Sequence, residues 1–468
     1  MKRNNKQVFE NLTITAAAAG GKAIARTSEG RVIFVGLAVP GDVVDIEVYK
    51  KKKAYFEGKV IKFHSYSEKR TKPVCGHFGV CGGCKWQHML YAEQLVFKQK
   101  EVTDNLLRIG HLELPESNPI KGCAEIYRYR NKMEYSFSDS RWLSLDEIAS
   151  GKEIENKYAC GFHIPGMWDK ILDVKECHLQ AAPSDAIRNS IRDFAAENGF
   201  SFFNPRKQEG LLRTLLIRMT SLGEIMVVLQ FFYDDPEKRN LLLNFVKKRF
   251  PEITSLQYII NGKGNDTIYD QEVILFAGRD HIMEQMEGLR FKINAKSFYQ
   301  TNSVQAYELY NIARDFAGLT GKETVYDLYT GTGTIALFIA RLAKKVIGIE
   351  SVPEAIADAK ENAVSNHINN VSFFVGDMAR VFTEDFIAQN GKPDVIITDP
   401  PRDGMHKNVV EQLLSVLPER IVYVSCNSAT QARDLALMSD QYEIASTQAV
   451  DMFPQTHHVE NVVLLKRK

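Results

Sequence analysis

The stretch VYDLYTGTGT, residues Val325–Thr334, leads from an apolar strand pattern into two closely spaced glycines, and a helical pattern follows at Ile335–Leu342. Glycines in a strand-to-helix turn let the backbone approach a ligand at the helix N-terminus, where nucleotide-type ligands bind in open α/β sheets. A single Gly-x-Gly is a weak signal, because any tight turn can produce one. The neighbouring sequence therefore has to supply the context.

Short apolar strands and helical stretches alternate through the chain from about residue 295 onward. Further strands are predicted at Lys345–Glu350, Val371–Val375, Val395–Thr398 and Ile421–Ser425. This alternation predicts a doubly wound parallel sheet, an α/β Rossmann-like fold, which we place at residues 291–468.

Acidic residues follow three of these strands in order. Glu350 ends the second strand, Asp377 follows the third, and Asp399 follows the fourth. An acid about twenty residues after the glycines can accept ribose hydroxyls, so the order fits a nucleotide-type cofactor. Ala336 stands where an NAD-binding fingerprint usually has its last glycine, and the ordered acids are more similar to the methyltransferase form of this fold. Alternatively, each acid caps the helix that follows it.

Two reactive groups stand near the same predicted edge of the sheet. Cys426 follows the fifth strand, at a carboxyl end where ligands bind in open sheets, and Glu460 shortly precedes the last strand pattern, Val462–Lys466. A lone cysteine after an apolar strand is more often an inert core thiol, and a lone glutamate is more often solvated. Their combination with the sequence DPPR at Asp399–Arg402 is more specific than either residue alone.

Six short motifs together resemble those of the RNA 5-methyluridine methyltransferase family, and of bacterial 23S rRNA uracil-5 methyltransferases in particular. The motifs are FYQTN at Phe298–Asn302, DLYTG at Asp327–Gly331, GIE at Gly348–Glu350, DPPR at Asp399–Arg402, SCN at Ser425–Asn427 and HVE at His458–Glu460. The resemblance covers essentially the whole chain. Two positions depart from the usual family pattern: Thr330 stands where the family often has Cys, and Ser428 where it often has Pro.

The resemblance implies S-adenosylmethionine-dependent methylation of uridine C5 in RNA. It implies that Cys426 is the nucleophile and Glu460 the proton acceptor. The residues that it assigns to the cofactor are Gln300, Tyr329, Glu350 and Asp399, with Thr334 and Asp377 as weaker additions.

Such a reaction needs both a thiol and a separate base. Uracil C5 is a poor nucleophile, but a thiolate that adds to C6 generates an enolate whose C5 can attack a sulfonium methyl group. A base must then remove the C5 proton so that the thiol can leave.

Residues 1–68 are predicted to form a small β-barrel that resembles a TRAM domain, an OB-like RNA-binding module. Five strand patterns separated by turn signals lie at Val8–Ile14, Gly20–Arg26, Val32–Val35, Val43–Val48 and Tyr55–Phe63. Residues 1–74 hold fifteen Lys and Arg against seven Asp and Glu, although the whole chain carries a net charge of only +1. This asymmetry favours RNA binding, with Tyr55 and Phe56 beside Lys50–Lys53 as stacking candidates. A solvated lysine run is the alternative.

Residues 69–290 are predicted to form a central α+β region that carries a cysteine cluster. Strand patterns lie at Tyr127–Phe137 and Leu212–Phe232, a helical pattern at Ser184–Asn198, and a polar surface insertion at Ser138–Lys157.

The cysteine cluster begins directly after the barrel. Cys75, Cys81 and Cys84 lie in a glycine-rich loop, and Cys177 or Cys160 could supply a fourth thiolate. Spacing alone fits an iron–sulfur cluster and a zinc site about equally well. The family resemblance implies a [4Fe–4S] cluster with Cys177 as the fourth ligand.

Composition is that of a globular protein, with 44% hydrophobic and 25% charged residues. The polar start, Met1–Asn11, has no signal-peptide pattern, and no apolar run is long enough to cross a bilayer. We therefore expect a cytoplasmic protein with no membrane and no DNA partner. The expected partner is RNA, with 23S rRNA favoured over tRNA; a non-catalytic RNA-binding scaffold is the competing class.

Overall fold

The N-terminal part of the chain forms a six-stranded sheet around one small apolar core. The computed structural model describes residues 7–151 and 157–468. The strands are β1 (Val8–Thr13), β2 (Ala16–Ala18), β3 (Lys22–Arg26), β4 (Val32–Val35), β5 (Val43–Lys51) and β6 (Tyr55–Ser65). Their order is β1-β5-β6-β4-β3-β2, and inward side chains such as Ile33 and Ile46 are fully buried. All five predicted strands are present, and the short β2 is an addition.

The helix α1 (Tyr91–Arg108) and the strand β7 (Asn118–Lys121) lie with the C-terminal sheet, although the sequence pattern placed them in the central region. Val102 and Leu106 of α1 are buried among apolar side chains of that sheet. Strand β7 forms one edge of that sheet and pairs in parallel with its neighbour, where Asn118 lies opposite Gln448. The C-terminal sheet is therefore completed by residues that precede the central sheet in the chain.

The central region is a seven-stranded sheet covered on one face by two helices. Its elements are β8 (Lys132–Ser138), α2 (Leu145–Ala149), β9 (Ala159–Ile164), β10 (Met167–Asp173), α3 (Ser184–Glu197), β11 (Leu212–Met219), β12 (Ile225–Phe231), α4 (Pro236–Arg249), β13 (Ser255–Ile260) and β14 (Ile274–Gly278). The strand order is β10-β9-β8-β11-β12-β13-β14, and α3 and α4 share one apolar core with the sheet. The predicted insertion Ser138–Lys157 carries the short exposed helix α2, and its residues 152–156 lie outside the described residues.

The C-terminal part forms an eight-stranded, mainly parallel sheet after a hairpin. Its elements are β15 (Ile282–Met286), β16 (Leu289–Ile293), α5 (Ser303–Ala317), β17 (Thr324–Leu328), α6 (Thr334–Ile339), β18 (Lys345–Glu350), α7 (Pro353–Ser365), β19 (Val371–Val375), α8 (Met378–Val381), α9 (Glu384–Asn390), β20 (Val395–Thr398), α10 (Lys407–Val416), β21 (Arg420–Ser425), α11 (Ser428–Met438), β22 (Tyr442–Val450) and β23 (Glu460–Arg467). The strand order is β19-β18-β17-β20-β21-β23-β22-β7. Strand β23 runs antiparallel to β21, whereas β17 to β21 are parallel.

This topology confirms the predicted α/β Rossmann-like fold. The inner parallel strands β20 and β21 are buried almost throughout, so they are continuous apolar runs in the sequence. Because their carboxyl ends meet at one edge, the residues that follow them come together there. Within the described ranges, no helix combines the length and the apolar character that crossing a membrane requires.

Candidate active site

The turn between β17 and α6 forms a backbone cradle. Gly333 precedes α6 with φ 78°, and a Cβ atom there would lie 2.9 Å from the ring of Phe373. Only glycine meets both requirements without strain. The Gly331 N–H donates to Glu350 Oε2 at 3.2 Å, which ties the turn to the end of β18. Backbone donors and a carboxylate thus meet at the edge of the sheet where nucleotide-type ligands bind.

Asp327 lies beneath this cradle and begins the DLYTG motif, but no role was predicted for it from the sequence. Its Oδ2 accepts bonds from Thr330 Oγ1 at 2.5 Å and from the Ala336 N–H at 3.1 Å. Its Oδ1 has no hydrogen-bond partner in the part of the chain that the structure describes. Burial, with the nearby charge of Asp399, raises the pKa of Asp327 to about 7. An acid inside an otherwise apolar strand was the signal that could have identified it.

Tyr329, Asp377 and Thr334 surround the same turn. Tyr329 adopts a left-handed backbone conformation with φ 64°, which is strained for a non-glycine residue. Burial and the charges of Asp377 and Glu350 raise its pKa to about 12. Asp377 caps α8 by accepting a bond from the Ala379 N–H at 3.0 Å. The alternative that this acid caps the following helix is therefore present in the structure. Thr334 is buried at the start of α6.

Gln300 reaches this edge from the loop before α5. Its side chain hydrogen-bonds to Tyr310, a buried residue of α5 whose pKa is raised well above its usual value by burial and by the charge of Asp399. Asn131 Nδ2 donates to the Gln300 carbonyl at 2.9 Å, which anchors the loop to the central region. The structure therefore brings all six residues that the resemblance assigned to a cofactor to one edge of the sheet.

Cys426 and Glu460 are brought together by strand register. Strands β21 and β23 are antiparallel, and Ser425 lies opposite Asn461. The next pair of positions is therefore Cys426 and Glu460, where β21 ends and β23 begins. A thiol and a carboxyl group separated by 34 positions in the sequence thus share the carboxyl edge with Asp399.

Burial and like charges shift the protonation of both groups. Burial, together with the charge of Asp399, raises the pKa of Glu460 to about 8. Burial, followed by the charges of Glu460 and Asp399, raises the pKa of the Cys426 thiol to about 11. Burial also raises the pKa of Asp399 to about 7. Three ionisable groups with raised pKa values are thus held close together, which is typical of sites that move protons.

Arg402 opposes these negative charges. Its side chain hydrogen-bonds to the Cys426 thiol and lowers the pKa of both Cys426 and Glu460, although less than burial raises them. The Arg402 carbonyl accepts bonds from Asn427 Nδ2 at 3.0 Å and from Thr430 Oγ1 at 3.1 Å. The start of α11 therefore holds the loop that presents Arg402. Arg402 belongs to the DPPR motif, but no role was predicted for it, because its contact with Cys426 depends on tertiary structure.

His457 and His458 precede Glu460, and their rings lie 4.1 Å apart between centroids. Burial lowers the pKa of each to about 4, with the positive charge of Arg402 adding to the shift. Both imidazoles are therefore neutral near pH 7 and are weaker bases than the Glu460 carboxylate.

Comparison with known protein families shows where this chain belongs. The family model described as tRNA (uracil-5-)-methyltransferase matches residues 220–468, more than half of the chain. The chain belongs to this family. A TRAM domain model matches residues 9–61, which confirms the predicted N-terminal module. The protein is thus an RNA (uracil-5-)-methyltransferase.

Relatives extend the likeness over nearly the full length. An RNA methyltransferase of Bacteroides thetaiotaomicron is 58% identical over 96% of this chain and 99% of its own. One from Chlorobaculum tepidum is 40% identical over 99% of this chain and 98% of its own. The tRNA (uracil-54, C5)-methyltransferase of Pyrococcus abyssi, solved with S-adenosyl-L-homocysteine, is 27% identical with a TM-score of 0.74, and the match covers 97% of this chain and 100% of that one.

Four cysteines of the methyltransferase line one cavity of about 570 Å³. They are Cys75, Cys81, Cys84 and Cys177. Burial raises the pKa of Cys81 to about 11 and that of Cys84 to about 12, and the other cysteines of the group contribute to both shifts. The thiols are therefore near enough to interact electrostatically.

Cys160 lies apart from this cavity. It is fully buried on β9, and the charges that act on it belong to Arg188, Asp173 and Arg192 rather than to other cysteines. In residues 7–151 and 157–468, no three His, Cys, Asp or Glu side chains are arranged to hold a metal ion.

The barrel of the methyltransferase presents a basic groove. Arg31, Lys51 and Lys52 line it together with Phe9 and Phe56. Phe56 is only 5% exposed, and the guanidinium carbon of Arg31 lies 4.8 Å from the centroid of its ring. The expected role of Phe56 as a base-stacking platform is therefore wrong, because Arg31 covers its ring. The basic side chains remain available for phosphate contacts.

Proposed function

We propose that this methyltransferase transfers a methyl group from S-adenosylmethionine to C5 of a uridine in RNA through a covalent bond between Cys426 Sγ and uracil C6. The observation that carries the proposal is the β21–β23 register, which sets Cys426 opposite Glu460 beside Asp399. A thiol and a base next to a cofactor cradle are the groups that this chemistry requires.

Each protein group has a defined part in the reaction. The Cys426 thiolate adds to C6, and the resulting C5 carbanion attacks the sulfonium methyl group, which releases S-adenosylhomocysteine. The Glu460 carboxylate then takes the C5 proton, the C6–S bond breaks, and the thiolate is restored. Arg402 stabilises the thiolate by its charge and its hydrogen bond to Cys426.

The cradle at the carboxyl ends of β17 to β20 would hold the cofactor. Glu350 would accept its ribose hydroxyls, and Asp327 has a free carboxyl oxygen beneath the cradle. The Pyrococcus abyssi structure, which contains S-adenosyl-L-homocysteine, supports this assignment. The other cofactor residues in this proposal are Gln300, Tyr329, Thr334, Asp377 and Asp399.

The cysteine cavity holds a [4Fe–4S] cluster in this proposal, with Cys75, Cys81, Cys84 and Cys177 as ligands. The four cysteines line one cavity, which fits a centre held by four thiolates. The family resemblance favours an iron–sulfur cluster over zinc as that centre. Cys160 faces Arg188 and Asp173 instead, which favours Cys177 as the fourth ligand.

Anaerobic purification tests the cluster. We expect a brown protein with iron and acid-labile sulfide, colour loss in Cys177→Ser, and retained colour in the matched variant Cys160→Ser. A colourless protein with stoichiometric zinc would contradict the assignment.

We propose 23S rRNA as the substrate, because the resemblance associates the barrel and the cysteine cluster with ribosomal RNA enzymes. The likeness to the Pyrococcus abyssi tRNA enzyme favours tRNA as the second candidate. Mapping 5-methyluridine in both RNAs from cells with and without the gene distinguishes them.

RNA containing 5-fluorouridine tests the covalent step. Fluorine cannot be removed as a proton, so the wild type should accumulate an adduct that survives a denaturing gel. The Cys426→Ala variant is the control and should form none. Absence of any adduct with either RNA would exclude this mechanism, and only absence of methyl transfer as well would favour a non-catalytic RNA-binding scaffold.

A further inference from the structure

The segment Asp451–Val459 connects β22 to β23 and leads directly to Glu460. Its central residue, Gln455, is 2% exposed and has φ 68°, a left-handed conformation that is strained for a non-glycine residue. Such a conformation persists only where surrounding contacts enforce it. The contacts around Gln455 therefore show what fixes the approach to the base.

The first set of contacts comes from Gln94 on α1. Its Oε1 accepts a bond from the Gln455 N–H at 3.0 Å, and its Nε2 donates to Gln455 Oε1 at 3.0 Å. The Nε2 also donates to the carbonyls of Trp86 and Met89 at 3.0 and 2.9 Å. Gln94 is fully buried, and removing its amide would leave the buried Gln455 N–H without the acceptor it has here.

The second set comes from the cysteine-rich segment. The N–H groups of Lys85 and Trp86, the two residues after Cys84, donate to the Gln455 carbonyl at 2.8 and 3.0 Å. Thr456, the next residue, lines the cysteine cavity. Every backbone polar group of Gln455 is therefore held by residues outside its own segment.

A buried ion pair fixes the start of the segment. Lys98 of α1 donates to Asp451 Oδ1 at 2.6 Å and to the Phe453 carbonyl at 3.1 Å, and both charged side chains are fully buried. Tyr91 donates to Asp451 Oδ2 at 2.8 Å. This pair orients the first turn, whereas Gln94 holds the turn closer to the base.

We propose that Gln94 and Gln455 are positioning residues, which tie the segment leading to Glu460 to the cysteine-rich segment and thereby fix the Glu460 carboxyl beside Cys426. This inference rests on the proposed function. The chain that begins at Glu460 and continues through β23 is already fixed by the pairing of β23 with β21 and β22. The Gln455 contacts fix the chain that precedes Glu460, so the base cannot shift along the edge of the sheet.

The experiment compares two substitutions at Gln455, one that tolerates its left-handed backbone conformation and one that does not. Gln455→Gly accepts the left-handed conformation and keeps the backbone bonds to Gln94, Lys85 and Trp86, so proton removal should fall by less than about tenfold. Gln455→Val is strained in that conformation, and a displacement of about 1 Å should slow proton removal about 100-fold. The same loss is expected for Gln94→Leu.

The readout is covalent RNA that carries label from the cofactor's methyl group. Gln455→Val and Gln94→Leu should accumulate this adduct while their affinity for S-adenosylhomocysteine stays at the wild-type value. Gln257→Leu is the matched control, since Gln257 is also buried but bonds to Ser255 and Asp280 in the central region. It should accumulate none.

The outcomes separate the two proposals. If the wild type forms the 5-fluorouridine adduct but Gln455→Gly and Gln455→Val are equally fast and adduct-free, the positioning role is wrong while the covalent mechanism stands. If the wild type forms no adduct, the mechanism itself fails. A general loss of cofactor affinity in Gln455→Val would also overturn the positioning role, because it indicates global damage.

Discussion

The cofactor cradle and the reaction edge lie on the same sheet but are built by different means. In the cradle, Glu350 Oε1 accepts bonds from the N–H groups of Ser351 and Val352, and Oε2 accepts one from Gly331. At the reaction edge, burial is the main cause that raises the pKa values of Cys426 and Glu460, and the charges of neighbouring carboxyl groups raise them further. The first arrangement holds a carboxylate in one place, whereas the second keeps protons near the point of transfer.

This difference between the cradle and the reaction edge predicts that cofactor affinity and the rates of the chemical steps depend on different residues. A hydrogen-bonded carboxylate contributes affinity, and its loss weakens binding without changing the chemical steps. A buried thiol and base contribute little to cofactor affinity but determine the chemical steps. Substitutions on the two sides should therefore give distinct kinetic patterns.

The largest effect is expected for Cys426→Ala. The thiol adds to the base rather than to the sulfonium, so methylation should fall by at least about four orders of magnitude. Affinity for S-adenosylhomocysteine, measured by calorimetry, should stay near the wild-type value. Substantial residual methyl transfer would contradict the covalent mechanism.

Glu460→Gln should stop the reaction after methyl transfer. Gln keeps the shape of Glu but cannot accept the C5 proton, so turnover should fall by about two to four orders of magnitude. Methyl-labelled RNA should remain joined to Cys426 on a denaturing gel. Glu443→Gln, on the exposed side of the neighbouring β22, is the matched control and should turn over normally. Wild-type turnover in Glu460→Gln would show that a different residue is the base.

Glu350→Ala should affect the cradle alone. Loss of a charged acceptor costs about 1.5–3 kcal/mol, so cofactor affinity should fall roughly 10- to 100-fold. The rate of proton removal from a preformed adduct should not change. Glu354→Ala, at an exposed acid on α7, provides the control for a change in net charge. A slower elimination step in Glu350→Ala would break the separation between the two sides.

The smallest effect is a pH dependence confined to the reaction edge. Glu460 acts as a base only when ionised, and its pKa is raised to about 8. Below that value, proton removal in rapid-quench single turnovers should rise about tenfold per pH unit, and it should level off above pH 8. Glu460→Gln should lose this profile. A rate that is flat from pH 6 to 8 in the wild type would show that the carboxyl group is already ionised at pH 6.

Local sequence predicted the parallel sheet because its strands are short buried apolar runs. The strands predicted at Lys345–Glu350, Val371–Val375 and Val395–Thr398 match β18, β19 and β20. The last strand was predicted at Val462–Lys466 but begins at Glu460, because pairing with β21 and β22 extends it. That extension is what sets the base opposite the thiol.

Contacts between distant parts of the chain left no comparable signal. Strand β7 is a four-residue edge strand containing Pro119, and only its partner β22 makes it a strand. The bonds between Gln94 and Gln455 join residues 361 positions apart, and their amides look like ordinary polar residues in the sequence. Arg402 was visible as part of a motif, but its contact with Cys426 was not.

The buried pair of Lys98 and Asp451 also affects the order in which parts of the chain can fold during synthesis. The two residues are 353 positions apart, so at 5–20 residues per second the ribosome takes roughly 18–70 s to supply the second after the first. For most of that interval α1 and β7 are complete while the strand that β7 will join has not yet been synthesised. The barrel and the central sheet can fold within this time. The catalytic sheet is therefore the last part of the enzyme to close, and it closes only on chains synthesised through β23.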